Sequence, residues 1–147
     1  MHPFSIRLPA DLTAIPRVHE ELAILADRKI FSADVRDALG VALDEVLVNV
    51  VMHGYGSQPG EISLSFSLEA SPRRFVVEVE DAAPSFDPLA RADPPIDEDV
   101  EARQVGGLGI YLVKNLMDDV QYRRHAGHNY LRLIKALGPS GEDPLEE

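Results

Sequence analysis

Alternating and helical patterns of apolar residues divide the N-terminal part of the chain into one strand and two helices. Residues 4–8 alternate between apolar and polar side chains, which predicts a half-buried strand. Apolar residues recur at helical spacing over 11–29, with Pro16 in the first turn, where its missing N–H does little harm. A second helix is predicted over 33–53, and Ser32 is placed to cap it.

The C-terminal part of the chain adds alternating runs and one short helical pattern. The predicted elements are strands over 61–68, 74–80, 120–126 and 130–137 and a helix over 109–119. Residues 81–105 follow no period, and a loop of that length in a small domain usually has a function, such as that of a lid. The order β-α-α-β-β-loop-α-β-β predicts an α/β fold, an α+β two-layer sandwich in which a mixed, mostly antiparallel sheet carries the helices on one face.

The composition is that of an ordinary soluble domain. The chain has 147 residues, of which 45% are hydrophobic and 27% charged, enough to form one core. We expect one folded domain over 1–137 and an acidic, disordered tail over 138–147. Because there is no long apolar run and no secretion signal, we expect no membrane contact. The absence of cysteine fits a reducing cytoplasm.

The net charge of −11 argues against a general nucleic-acid-binding protein, because such proteins need a basic face that displaces counterions. Many of the acidic residues are concentrated in 92–102 and 141–147, which also contain proline. We interpret the first segment as part of the long loop and the second as a solvated tail.

Two polar residues interrupt the apolar second helix, in the stretch VALDEVLVNVVMHGYG (41–56). Glu45 and Asn49 lie one turn apart on one face, and His53 extends that stripe by another turn. A carboxylate can act as a general base, and an amide oxygen is a hard ligand suited to Mg²⁺. On these residues alone, the alternative stays open that Glu45 reaches solvent and Asn49 is a hydrogen-bonded core amide.

A second polar position falls where a predicted strand meets the long loop, in EVEDAAPSFDP (78–88). Asp81 there could accept hydrogen bonds from N–H or hydroxyl groups of a ligand. The small side chains of Ala82 and Ala83 would let a flat ring approach the backbone. The alternative is an acidic turn residue before a proline-containing loop, which is common.

A third candidate is the glycine cluster that opens the last predicted helix. Gly106, Gly107 and Gly109 would allow close approach of the backbone, and a helix N-terminus offers unpaired N–H groups to a phosphate. The cluster is not a P-loop, because no Gly-Lys-Ser/Thr follows, and Leu112 replaces the last glycine of a dinucleotide fingerprint. A flexible loop and helix cap would show the same pattern.

Taken in order, these three motifs resemble those of the GHKL ATPase superfamily, namely its N box and the two glycine boxes around the ATP lid. The chain resembles more narrowly the anti-sigma-factor serine kinases of the RsbW/SpoIIAB type, from about residue 4 to 137. The resemblance implies a Bergerat-type ATP-binding fold that uses ATP and Mg²⁺. It also implies protein-serine/threonine kinase activity toward a STAS-type anti-anti-sigma partner, control of a sigma factor, and a homodimer, which is usual in that family.

The resemblance also implies roles for individual residues. Glu45 matches the general base that activates the partner's hydroxyl, Asn49 matches the Mg²⁺ ligand, and Asp81 matches the acid that recognises the adenine amino group. Arg17 falls near a partner-contact position. The remaining positions assigned to ATP are His53, Ala83, Arg103, Gly106, Gly107, Leu108 and Gly109.

One departure from the family pattern concerns Ala83, because that position usually holds glycine. Alanine disfavours positive φ, so either nucleotide affinity is reduced or the loop is rearranged. Three alternatives to a kinase stay open: a nucleotide-dependent anti-sigma or partner-switch binding module with weak or no kinase activity, a histidine kinase catalytic domain, and an α/β domain without nucleotide. We expect no phosphoacceptor-histidine hairpin, since no residues are left over to build one.

Overall fold

The computed structural model describes residues 1–85, 87–90 and 107–138. The helices and strands are β1 (Phe4–Pro9), α1 (Ile15–Asp27), α2 (Ala33–Asn49), β2 (Glu61–Ala70), β3 (Arg73–Asp81), α3 (Gly107–Leu116), β4 (Asp119–His125) and β5 (His128–Ala136). This order confirms the predicted one. Within the described ranges, no helix combines the length and the apolar character that crossing a membrane requires.

The five strands form one sheet in the order β1-β2-β3-β5-β4. The predicted mixed character of the sheet is wrong for the described strands, because each of their pairings is antiparallel. Short hairpins make β2–β3 and β4–β5 antiparallel, whereas β1–β2 and β3–β5 are joined by long connections, and the packing of the chain sets their direction. β5 therefore returns from the edge of the sheet and pairs with β3.

The core lies between one face of the sheet and the helices, as the two-layer prediction requires. Fully buried side chains on that face include Leu64, Phe66 and Val77, and they pack in one cluster with Leu22 of α1 and Leu43 of α2. Since successive residues of a strand point to opposite faces, the serines and glutamates between these positions lie on the other side of the sheet.

A side-chain cap precedes each of the first two helices, and the one at Ser32 was predicted. The Asp11 side chain accepts a hydrogen bond of 2.9 Å from the backbone N–H of Thr13 and starts a short 3₁₀ turn that leads into α1. Ser32 caps α2 by accepting a bond of 3.1 Å from the N–H of Val35. Such caps satisfy backbone donors that have no partner within the helix.

The hairpin between β4 and β5 fixes which residues lie opposite each other in the sheet. Its two-residue turn has positive φ at both positions, 50° at Ala126 and 83° at Gly127, as a type I′ turn requires. In the resulting register, Arg124 pairs with Asn129, and Asn129 pairs with Asp81 of β3. Three polar residues thus form one row across three adjacent strands on the face that carries the helices.

Candidate functional site

A cleft opens where the C-terminal end of α2, the end of β3 and the start of α3 meet. It encloses about 420 Å³, part of which is open to solvent. Most of its lining is apolar, from side chains such as Val46, Val79 and Ile110, and its charged or amide-bearing lining residues are Asn49, Asp81 and Asn129. An apolar cleft with a few convergent polar groups is typical of a small-molecule binding site.

Asp81 presents one carboxylate oxygen to this cleft. Its side chain is buried, and its Oδ1 accepts hydrogen bonds of 2.9 Å from the N–H of Ala83 and 2.9 Å from Nδ2 of Asn129. No described residue donates to Oδ2. A carboxylate oxygen in a mostly apolar cleft is suited to accept a strong hydrogen bond from a ligand N–H.

Asn49 is buried, and its Nδ2 has no hydrogen-bond partner among the described residues. Buried side-chain amides in proteins are nearly always hydrogen-bonded, so an unpaired one calls for a ligand or a water molecule. The alternative interpretation of Asn49 as a hydrogen-bonded core amide is therefore not supported. Asn49 is one of the residues that line the cleft, where a bound molecule could reach the amide.

Glu45 lies one turn before Asn49 on α2, is partly exposed, and faces the first turn of α3. A Cβ atom placed on Gly109 would lie 2.5 Å from Oε2 of Glu45. Glycine at 109 therefore allows the backbone near the N-terminus of α3 to approach the carboxylate, which the positive end of the helix dipole favours. This contact joins the first and third motifs of the sequence.

His53 does not line the cleft, and its assignment to ATP stays a prediction. The α-helix ends at Asn49, and Val50–Gly54 form a π turn instead of a continued α-helix. A π turn advances by five residues, so Gly54 follows Asn49 on the cleft side, and it lines the cleft. His53 is exposed and is not among the lining residues.

Ala83 adopts a backbone conformation that any residue can take. The described non-glycine residues with positive φ are Lys29, Ser57 and Ala126, so Ala83 carries no strain of that kind. Its side chain is buried, and its Cβ would lie 3.3 Å from a Cβ placed on Gly54. The loop thus accommodates the alanine without positive φ, and its methyl group occupies the space that glycine leaves at position 54.

Substituting Ala83 with glycine should consequently not tighten nucleotide binding. The change removes a buried methyl group and loosens the unfolded chain, so the free energy of unfolding should fall by about 1–2 kcal/mol. Urea denaturation and calorimetric titration with ATP on the two proteins measure both effects. Tighter ATP binding by Ala83→Gly would contradict this account and show that the loop is strained.

Of the other predicted site positions, one is confirmed as the start of a helix, several lie outside the described residues, and one stays a prediction. Gly107 is the first residue of α3, as the glycine motif predicts. Arg103, Gly106, the side chain of Leu108 and most of the predicted lid lie outside the described residues. Arg17 is exposed on α1, forms an ion pair of 3.5 Å with Glu21, and does not line the cleft, so its partner contact stays a prediction.

Sequence reasoning missed several side chains that hold the segment after β3. The Tyr55 hydroxyl accepts a hydrogen bond of 2.8 Å from the N–H of Ala82 and donates one of 2.7 Å to the carbonyl of Glu61. On the other side, Asn129 and Arg124 contact the same segment. None of these residues belongs to a motif. Only the register of the second hairpin could have indicated Asn129 and Arg124 from the sequence.

Similarity to known proteins in sequence and in fold identifies the family of this chain. A sequence profile of the histidine kinase-like ATPase domain matches residues 8–135. The chain belongs to this family. Its relatives include the serine-protein kinase RsbW of Bacillus thuringiensis (strain Al Hakam), 30% identical over 128 residues, or 86% of this chain and 80% of the relative. RsbW of Listeria innocua is 31% identical over 122 residues, covering 80% and 76% of the two chains.

Solved structures confirm the fold. The RsbU and RsbW domains of a Mycobacterium tuberculosis protein superpose with a TM-score of 0.66 at 18% identity, over 93% of this chain and 33% of that one. The histidine kinase domain of a blue-light-activated kinase from Erythrobacter litoralis superposes with a TM-score of 0.53 at 18% identity, over 88% and 62%. Together, the sequence profile and the RsbW relatives confirm the resemblance to the RsbW-type GHKL proteins.

Proposed function

We propose that this chain is an ATP-dependent protein-serine/threonine kinase and anti-sigma factor that acts in the cytoplasm. Its substrate would be a STAS-type anti-anti-sigma protein, and its other partner a sigma factor. The family membership and the names of the relatives support this proposal. The observation that carries it is structural: Asn49 and Asp81 line one cleft, and Glu45, one helical turn before Asn49, faces the start of α3.

ATP fits the residues that form the cleft. The apolar lining suits a purine base, Oδ2 of Asp81, to which no described residue donates, can accept from its amino group, and the start of α3 can face the phosphates. Asn49 would hold Mg²⁺ through its amide oxygen and leave Nδ2 to donate to a phosphate oxygen. The described residues contain no cluster of three or more His, Cys, Asp or Glu that could hold a metal. One protein ligand completed by phosphate oxygens and water is typical of Mg²⁺, which neutralises phosphate charge.

Glu45 would remove the proton from the attacking hydroxyl. Its carboxylate is partly exposed, so a serine or threonine on the surface of another protein can reach it. As the hydroxyl oxygen bonds to the γ-phosphorus, the bond to the leaving ADP oxygen breaks, and the proton passes to the carboxylate. Phosphoryl transfer of this kind depends mostly on positioning and charge stabilisation, so few protein groups suffice.

The proposal is tested by incubating the purified chain with γ-labelled ATP, Mg²⁺ and a STAS-type protein encoded in the same genome. We expect label on one serine or threonine of that protein and none when that residue is replaced by alanine. Mg·ATP should also raise the melting temperature of the chain, because a ligand that binds only the folded state stabilises it. Stabilisation by Mg·ATP without transfer to any STAS-type protein would instead favour the nucleotide-dependent binding module.

A further inference from the structure

We propose that Asn129 and Arg124 are positioning residues for purine recognition: they hold Asp81 in the orientation that selects a 6-amino group. The inference rests on the proposed function, because it concerns the same cleft. It gives a role to two side chains of the β4–β5 hairpin, which the family motifs do not include.

The register of the sheet brings these residues together. Asp81, Asn129 and Arg124 form one row across β3, β5 and β4, and the two-residue turn between β4 and β5 fixes that alignment. Side chains of residues that lie opposite each other in neighbouring strands point to the same face of the sheet. Because Asp81 and Asn129 line the cleft, the side chain of Arg124 is on the cleft face as well. The neighbouring Arg123 lies on the other face, where it forms an ion pair with Glu78.

Asn129 connects Asp81 to the segment that follows it. Its Nδ2 donates to Oδ1 of Asp81 at 2.9 Å and to the carbonyls of Ala83 and Pro84 at 3.2 Å each. The Asn129 side chain is buried, so these bonds form where water does not compete with them. They fix both the carboxylate and the backbone turn after β3.

Arg124 and Tyr122 determine which way the Asn129 amide points. The Oδ1 of Asn129 accepts from the Tyr122 hydroxyl at 2.6 Å and from a guanidinium nitrogen of Arg124 at 3.0 Å. A reversed amide would place its NH₂ group against the guanidinium of Arg124, which cannot accept, so the nitrogen must face Asp81. The same guanidinium nitrogen also donates to the Ala83 carbonyl at 2.8 Å and ties the turn directly to β4.

The consequence concerns the orientation of Asp81. Two donors occupy its Oδ1, which leaves Oδ2 toward the cleft as the acceptor for a ligand amino group. Without Asn129 the carboxylate loses one of these donors and can rotate, so the acceptor is no longer held in place. A purine that makes no bond to Asp81 would not be affected, whereas one with a 6-amino group would bind less tightly.

The test compares ATP with purine riboside triphosphate, which lacks the 6-amino group, by calorimetric titration. We expect the wild-type protein to bind ATP more tightly than purine riboside triphosphate. In Asn129→Ala, the ratio of the two dissociation constants should fall by about three- to tenfold, the effect of losing one hydrogen bond. Arg124→Ala should lose less of the preference for ATP than Asn129→Ala does. The preference of Arg124→Lys should lie between those of Arg124→Ala and the wild-type protein. Arg123→Ala is the matched control, because it removes the same charge from the other face of β4 and should keep the full preference.

An equal loss of affinity for both nucleotides, or an unchanged preference, would overturn the positioning role. If Asn129→Ala does not fold, Arg124→Ala carries the test, because the Arg124 side chain is exposed. Failure of the wild-type protein to bind either nucleotide would refute the proposed function itself. A wild-type preference for ATP that all the variants retain would refute only this inference.

Discussion

Replacing Glu45 with alanine should lower the rate of phosphoryl transfer to the protein partner by about 10²–10⁴-fold, as expected when a general base is lost. ATP binding should survive, because Glu45 does not line the cleft that Asn49 and Asp81 line. The substitution removes only the carboxylate that faces Gly109 at the start of α3. The loss should therefore appear in the transfer step and not in the affinity for Mg·ATP.

Single-turnover transfer rates and calorimetric titration separate these two effects. Glu45→Gln keeps the shape of the side chain and should be nearly as slow as Glu45→Ala. The control is Asp44→Ala, which removes the neighbouring acid, bonded to His19 at 2.7 Å, and should transfer at close to the wild-type rate. Asn49→Ala should differ from all of these by losing both Mg·ATP binding and transfer. A Glu45→Ala protein that binds ATP normally and transfers phosphate at the wild-type rate would refute the role of Glu45 as the base.

Replacing Asp81 with asparagine should weaken the binding of ATP and ADP alike by about 1–3 kcal/mol, the contribution of a charge-assisted hydrogen bond. The N–H of Ala83 and the amide of Asn129 both donate to Oδ1, so the new amide must place its oxygen there. Its NH₂ group then faces the cleft and meets the amino group of adenine donor to donor. A 6-oxo purine would present an acceptor to the same NH₂ group.

The variant should therefore shift its preference from ATP toward inosine triphosphate, and the measurement is the ratio of the two dissociation constants. Glu80→Gln serves as the control, since Glu80 lies on the opposite face of β3 beside His128 and should not change that ratio. GTP should bind poorly to the wild-type protein. Equal affinity of the wild-type protein for ATP and GTP would contradict the assignment of Asp81 to adenine.

The order of helices and strands follows from local sequence, because each signal acts within a few residues. Alternation over 61–68 buries one side of β2, and Ser32 caps α2 as predicted. Gly107 at the start of α3 confirms that the glycine cluster opens a helix. The spacing of Glu45 and Asn49 needs only the period of a helix, so their common face was predictable.

Where the predictions were wrong, the deciding contacts join residues far apart in the chain. The described strands are all antiparallel because β1 and β5 run opposite to β2 and β3, respectively, and no local pattern encodes these two long-range pairings. The π turn after Asn49 replaces the end of the predicted helix and places Gly54 at the cleft, where it makes room for the methyl group of Ala83.

The sequence by itself determined the order of the elements, the apolar face of the sheet and the polar residues of the three motifs, since these depend on short-range periodicity and capping. The tertiary structure decided that Glu45 lies against Gly109, that Asn49 is buried with no described residue bonded to its Nδ2, and that Asp81 is held by Asn129. Each of these features requires two segments to approach within hydrogen-bonding or van der Waals distance. Such an approach is fixed by strand register and helix packing, which no single stretch of sequence contains.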